Sequence, residues 1–88
     1  MHIKKILYSS RFLRALKSCK GVDKEVVQQR SMMFQKDCFA ARLKTHKLKG
    51  KYKDLWSFSI TDTHRIIFRL YKDGTAEFIT VGDHDIYR

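Results

Sequence analysis

Eighty-eight residues make one domain, near the lower limit of what folds unaided, and 43% of them are hydrophobic, enough for a modest core. Nineteen Lys and Arg against nine Asp and Glu leave a net charge of +10, a field that draws nucleic acid first and anionic membrane or acidic protein second. With no proline, four glycines, no apolar run near the ~20 residues of a membrane span and no apolar N-terminal stretch long enough for a secretory signal, the expectation is a single cytoplasmic domain over residues 1–88 with no membrane partner.

In chain order, Ile3 to Tyr8 reads as a first strand. Ser9 or Ser10 is placed to cap a helix in which Phe12, Leu13, Leu16 and Cys19 recur at three- and four-residue spacing, with Arg11, Arg14 and Lys17 towards solvent and Gly21 as the stop. Asp23 starts a second helix, expected to run to about Phe39 or Ala41, with Val26, Val27, Met33, Phe34 and Cys38 as its apolar stripe. The stretch from Arg42 to Lys53 shows neither helical nor strand period and is expected to be largely loop. From Leu55 the period becomes two: Trp56, Phe58 and Ile60 alternate with Ser57 and Ser59, and Thr61-Asp62-Thr63 turns the chain. His64 to Tyr71 is the next strand, Asp73-Gly74 carries the signature of a tight hairpin, and Ala76 to Val81 follows as a third consecutive strand. The fold class expected is α+β: an N-terminal strand and two helices packed on one face of a small, twisted, mainly antiparallel sheet, the other face left partly open.

The charge is uneven. Residues 1–22 carry six Lys and Arg and no acid, and Arg42 to Lys53 carry six more, again with no acid. Lys44, Lys47, Lys49, Lys51 and Lys53 are therefore candidate RNA contacts, although a charge run is often only a solvated face. Arg65 and Arg69, four apart on one strand, share a face about 13 Å from each other and suit phosphates, which a guanidinium grips bidentately. Cys19 and Cys38 read as small buried hydrophobes on helix faces; no Cys-x-x-Cys or His-x-x-x-His spacing calls for a metal, and no cofactor is expected.

Cleaving RNA without a metal needs a base for the 2′-hydroxyl proton, an acid for the leaving 5′-oxygen and cations around the phosphorane. Histidine suits either proton role and arginine or lysine the electrostatic one, which singles out His46, His84 and Arg65. Tyr87 has no obvious core role and is a candidate for base stacking or proton transfer.

At this point the segments His46-Lys47-Leu48-Lys49-Gly50, Leu55-Trp56-Ser57, Thr63-His64-Arg65-Ile66-Ile67-Phe68 and Val81-Gly82-Asp83-His84-Asp85-Ile86-Tyr87 resemble the RelE/YoeB/YafQ toxins. The resemblance is strongest over residues 43–88, through the order and spacing of the motifs together. It implies the toxin of a type II toxin–antitoxin pair, a ribosome-dependent endoribonuclease that cuts mRNA and is neutralised by a cognate antitoxin. Residue by residue, His46 resembles the catalytic histidine before the Leu-x-Gly turn of YafQ-like members. Arg65 resembles the strand arginine of YoeB-like members that stabilises the scissile phosphate. His84 resembles the C-terminal proton-transfer histidine, Tyr87 the closing aromatic, and Lys47, Lys49 and Lys51 the basic loop that faces RNA. The chain also departs from both patterns: Arg42 or Leu43 stands near the YoeB-like glutamate base, and Thr80 stands where YafQ-like members carry an arginine. Two other readings compete, a ParE-like toxin that inhibits DNA gyrase by binding alone and a basic RNA-binding module without toxicity.

Overall fold

The computed structural model describes residues 1–83. Its elements run β1 (Lys5–Tyr8), α1 (Ser10–Ser18), α2 (Lys24–Lys36), a 3₁₀ turn (Ala41–Leu43), β2 (His46–Lys47), a second 3₁₀ turn (Gly50–Tyr52), β3 (Trp56–Ser59), β4 (Arg65–Leu70) and β5 (Thr75–Gly82). The strands form one sheet in the order β1-β5-β4-β3-β2, parallel between β1 and β5 and antiparallel elsewhere. This is the expected α+β architecture, with one strand more than the sequence suggests.

Ser9 caps α1 and also ties it to the sheet. Its Oγ accepts from the Phe12 N–H at 3.0 Å and donates to the Ile79 carbonyl at 3.0 Å. Ile79 is the extra residue of a β-bulge: Ile67 pairs with Thr80 but Phe68 with Phe78. A bulged residue loses its place in the ladder, so the serine hydroxyl supplies the partner its carbonyl needs. The shift of one also lets Ala76, Phe78 and Val81 all join the core.

That core lies between the sheet and the helices and is largely aromatic. Phe12, Phe34, Phe58, Phe68 and Phe78 are fully buried. Phe34 of α2 stacks on Phe58 with centroids 4.5 Å apart and meets Phe68 edge-on at 4.8 Å. Phe12 of α1 meets Phe78 at 5.3 Å.

The β4–β5 hairpin follows its Asp-Gly signature. Gly74 has φ +91, which favours glycine, and donates to the Tyr71 carbonyl; an added Cβ would sit tightly, 3.3 Å from Lys4 Cγ. The Asp73 carboxylate accepts from the Thr75 N–H at 2.9 Å. That N–H and the Thr75 hydroxyl, with the Lys4 ammonium behind them, hold the Asp73 pKa below the ordinary carboxylate value.

Three expectations need correction. The second helix stops at Lys36, because Asp37 turns extended and accepts from the Phe39 N–H, leaving Cys38 beyond the helix but buried. Cys19 likewise sits at the C-cap of α1, two residues before Gly21, rather than on a helix face. Leu13, assigned to the buried stripe by its spacing, is 53% exposed, because α1 turns Phe12 rather than Leu13 onto the sheet.

Candidate nucleic-acid interface

The basic stretch from Arg42 to Lys53 is shaped rather than loose. Leu43 is fully buried and anchors the first 3₁₀ turn. Lys44 then takes a left-handed backbone conformation, φ 51 and ψ 40, which swings the chain into β2. The two-residue strand pairs His46 with Ser57 and Lys47 with Trp56. A strand this short carries too little alternation to show itself in sequence, and its stability comes from pairing along β3.

Pairing register decides which side chains share a face. Residues directly opposite in neighbouring strands point the same way, so His46, Ser57, Ile67 and Thr80 form one row across the sheet on the side away from the helices. The neighbouring row is Ser59, Arg65 and Gly82. His46 and Arg65 therefore project from the same face. Two strand spacings and a two-residue step along β4 put their Cα atoms about 12 Å apart.

That face is not bare: Ser57, Ile67 and Thr80 are buried, while Arg65 is half-buried and His46 exposed. Arg65 pairs with Gly82, through a three-residue turn whose added residue is offset by the bulge at Ile79. His84 and Tyr87, the other two catalytic candidates, lie outside the described residues, and so does any approach of His84 to Arg65.

The His46 ring is held in a defined orientation. Its Nδ1 lies 3.0 Å from the Lys44 carbonyl oxygen, which only accepts, so Nδ1 carries the proton and Nε2 of the neutral ring keeps its lone pair. Arg69 shares the Arg65 face but lies opposite Glu77, whose carboxylate accepts from the Tyr71 hydroxyl at 2.9 Å. Its neighbour across the strands is thus acidic.

Of the lysines, Lys47 points to the face opposite His46, on the side of Trp56. Lys49, Lys51 and Lys53 surround the second 3₁₀ turn and are exposed, with the Lys51 ammonium 5.2 Å from the centroid of the Tyr52 ring. Lys44 belongs elsewhere. It lines a cleft of about 90 Å³ at the β3–β4 turn, together with Arg30 of α2, Arg42, Ser59, Asp62 and Arg65. Arg30 is not legible in the sequence, because nothing in the spacing of α2 distinguishes it from the other solvent-side positions of that helix.

Burial pushes up the pKa of both cysteine thiols, with Asp83 adding to the effect at Cys19, so neither is an activated nucleophile. Among the described residues no three His, Cys, Asp or Glu side chains gather as metal ligands, and no helix is long and apolar enough to cross a membrane.

No protein-family model matches the chain, and no curated protein matches it. Solved structures do. YafQ from E. coli strain BL21(DE3) superposes with a TM-score of 0.77 at 18% identity over 93% of this chain and 94% of its own. The fold is that of the RelE-like toxins. A YoeB/ParE toxin from Agrobacterium tumefaciens is similar at TM-score 0.72 and 23% identity, covering 91% of this chain and 98% of that one. The E. coli DinJ–YafQ toxin–antitoxin complex gives 0.74 at 20% identity, covering 92% of each chain. The RelE-like fold thus spans nearly the whole chain, with β1 and the two helices in place as well as the strands on which the motifs fall.

Proposed function

We propose that this chain is the toxin of a type II toxin–antitoxin pair and a metal-independent endoribonuclease that cuts mRNA on the ribosome. The observation that carries the reading is the shared face of His46 and Arg65, one with a ring acceptor at Nε2 and the other a cation based on a central strand. A phosphodiester bound between them would lose its 2′-hydroxyl proton to His46 Nε2 while the 2′-oxygen attacks phosphorus. Arg65 would carry the charge that builds on the non-bridging oxygens. The 5′-oxygen leaves with a proton from a general acid, the role proposed for His84, and the products are a 2′,3′-cyclic phosphate and a 5′-hydroxyl. Tyr87 is proposed to stack on a base, and Lys47, Lys49, Lys51, Lys53 and Arg69 to contact the RNA backbone.

An antitoxin partner draws support from a second feature. A groove of about 470 Å³ runs between α1, α2 and β1, lined by Ile6, Tyr8, Leu13, Leu16 and Met32 among others. Tyr8, Leu13 and Met32 are each about half exposed, a large apolar surface for so small a protein. Arg11, Arg14 and Lys17 on α1 and Lys24 at the start of α2 give the surroundings a positive charge. An acidic amphipathic segment suits that combination: apolar anchors in the groove and carboxylates on the rim. The similar DinJ–YafQ structure is itself a toxin–antitoxin complex.

The test is mRNA cleavage on programmed ribosomes in the presence of a chelator, with circular dichroism as a check on folding. Wild-type protein should cleave, whereas Arg65→Ala and His84→Ala should each lose about 10²- to 10⁴-fold in rate. Full cleavage by both variants would refute the mechanism. Arrest of replication before translation in cells expressing the chain would refute the ribonuclease reading itself.

A further inference from the structure

The cleft at the β3–β4 turn draws four cations from three parts of the chain. Arg30 comes from α2, Arg42 from the first 3₁₀ turn, Lys44 from the left-handed residue that follows it, and Arg65 from β4. Ser59, Thr61 and one carboxylate, Asp62, complete the polar lining. Like charges repel, and chain folding alone gives no reason to bring Arg30, Arg42 and Lys44 together beside Arg65 at one small opening. Neither Arg30, Arg42 nor Lys44 has an ion-pair partner among the described residues. Left-handed backbone at Lys44 costs about 1–2 kcal/mol for a residue with a Cβ, and glycine would relieve it, yet a lysine stands there.

Size restricts the ligand. A small cleft of about 90 Å³ lined by cations suits a compact tetrahedral oxyanion. Planar guanidinium groups bind such an anion bidentately, and Ser59 adds a neutral donor.

We infer that the cleft bounded by Arg30, Arg42 and Lys44 is a phosphate-binding subsite, holding a backbone phosphate of the RNA next to the one that is cleaved. The inference rests on the ribonuclease reading for the identity of the ligand, but the anion site stands on the geometry alone. Arg65 borders both the cleft and the row beside His46, so a phosphate in the cleft fixes the register of the strand relative to His46. Arg30 and Arg42 act here as positioning residues. The site also accounts for the departure at Arg42, where YoeB-like toxins have a carboxylate base nearby: in this chain the position serves to bind an anion.

The experiment has two arms, both run on wild type, Arg30→Gln, Arg42→Gln and the double variant. The first follows thermal stability against inorganic phosphate at constant ionic strength. Wild type should gain stability with phosphate, and the double variant should not. The second measures affinity for a short RNA carrying a 2′-deoxy substitution at the cut site, as a function of salt. Each single variant should weaken binding several-fold and lower the salt slope by about one, since a cation that no longer meets a phosphate releases no counterion there. Cleavage should show a raised KM with kcat less affected. Unchanged phosphate response and salt slope in the double variant would overturn the subsite. So would variants that keep RNA affinity and lose only binding to an acidic protein partner. Wild type that binds phosphate through Arg30 and Arg42 yet never cleaves RNA would instead overturn the ribonuclease reading and leave the anion site standing.

Discussion

The Nδ1 atom of His46 lies 3.0 Å from the carbonyl oxygen of Lys44, two residues back along the chain. The contact is local, yet it determines which ring nitrogen is left as an acceptor. A carbonyl cannot donate, so the proton stays on Nδ1 and Nε2 is left as the acceptor.

A base and a phosphate anchor at position 46 respond differently to substitution. His46→Ala should lower cleavage by about 10²- to 10⁴-fold if Nε2 takes the 2′-hydroxyl proton. His46→Lys restores a cation but offers no neutral acceptor, so it should be nearly as inactive. Recovery of most of the activity by the lysine variant, in single-turnover cleavage on programmed ribosomes, would make His46 a phosphate anchor instead.

The core makes its own demand. Phe34 touches Phe58, Phe68 and Phe78 and links α2 to the sheet. Phe34→Ala removes a fully buried ring at the centre of that cluster and should cost roughly 3–5 kcal/mol. Urea unfolding followed by circular dichroism will measure it. A loss below about 1 kcal/mol would mean that α2 is held elsewhere.

Much of this architecture is legible in the sequence where periodicity is long or turn chemistry specific. The alternation of Trp56, Phe58 and Ile60, the Asp73-Gly74 turn and the cap at Ser9 each give a signal that the structure repeats. Residues 65 and 82 do lie opposite, but only because the extra residue at Ile79 offsets a turn one residue longer than a two-residue hairpin, so that Leu70 faces Ala76 and Arg65 still faces Gly82. Two residues of β2 are too few for a period, so the pattern around His46 reads as loop although the residue sits on a strand. The cleft is illegible for another reason: Arg30 and Arg65 are far apart in sequence and meet only through packing.

Acid should loosen the β4–β5 hairpin. Because the Thr75 N–H and hydroxyl and then Lys4 lower the Asp73 pKa, ionised Asp73 favours the folded state. That contribution is present above the unfolded carboxylate value of about 3.9 and is lost as pH falls through the lower folded value. Asp73→Asn should therefore flatten the pH dependence of hairpin protection below about pH 4. Amide exchange at Tyr71 and Gly74 reads it, and identical acid profiles for variant and wild type would disprove the link.

The basic turn offers a test of charge without chemistry. Replacing Lys49, Lys51 and Lys53 with Gln should weaken ribosome or RNA binding and reduce its salt slope by up to about three, one for each lysine that meets a phosphate. All three are exposed, so the fold should keep its stability to within about 0.5 kcal/mol. An unchanged slope would show that this turn is merely solvated and would leave the cleft and the His46–Arg65 face as the RNA contacts.

The last expectation separates the partner from the RNA. Leu13 and Met32 border the groove between α1 and α2, away from the face that carries His46 and Arg65. Both are more than half exposed, so charged replacements cost the fold little. Leu13→Glu and Met32→Glu place carboxylates where an acidic segment would bury its apolar anchors. That adds like-charge repulsion to the weakened apolar packing, and truncating an anchor of this kind commonly costs about 2 kcal/mol or more, about thirtyfold in affinity. The double variant should cleave mRNA at the wild-type rate and escape neutralisation by the product of the adjacent gene, so that co-expression no longer rescues growth. Tight binding and full rescue with the double variant would place the antitoxin elsewhere, most directly across the basic face itself.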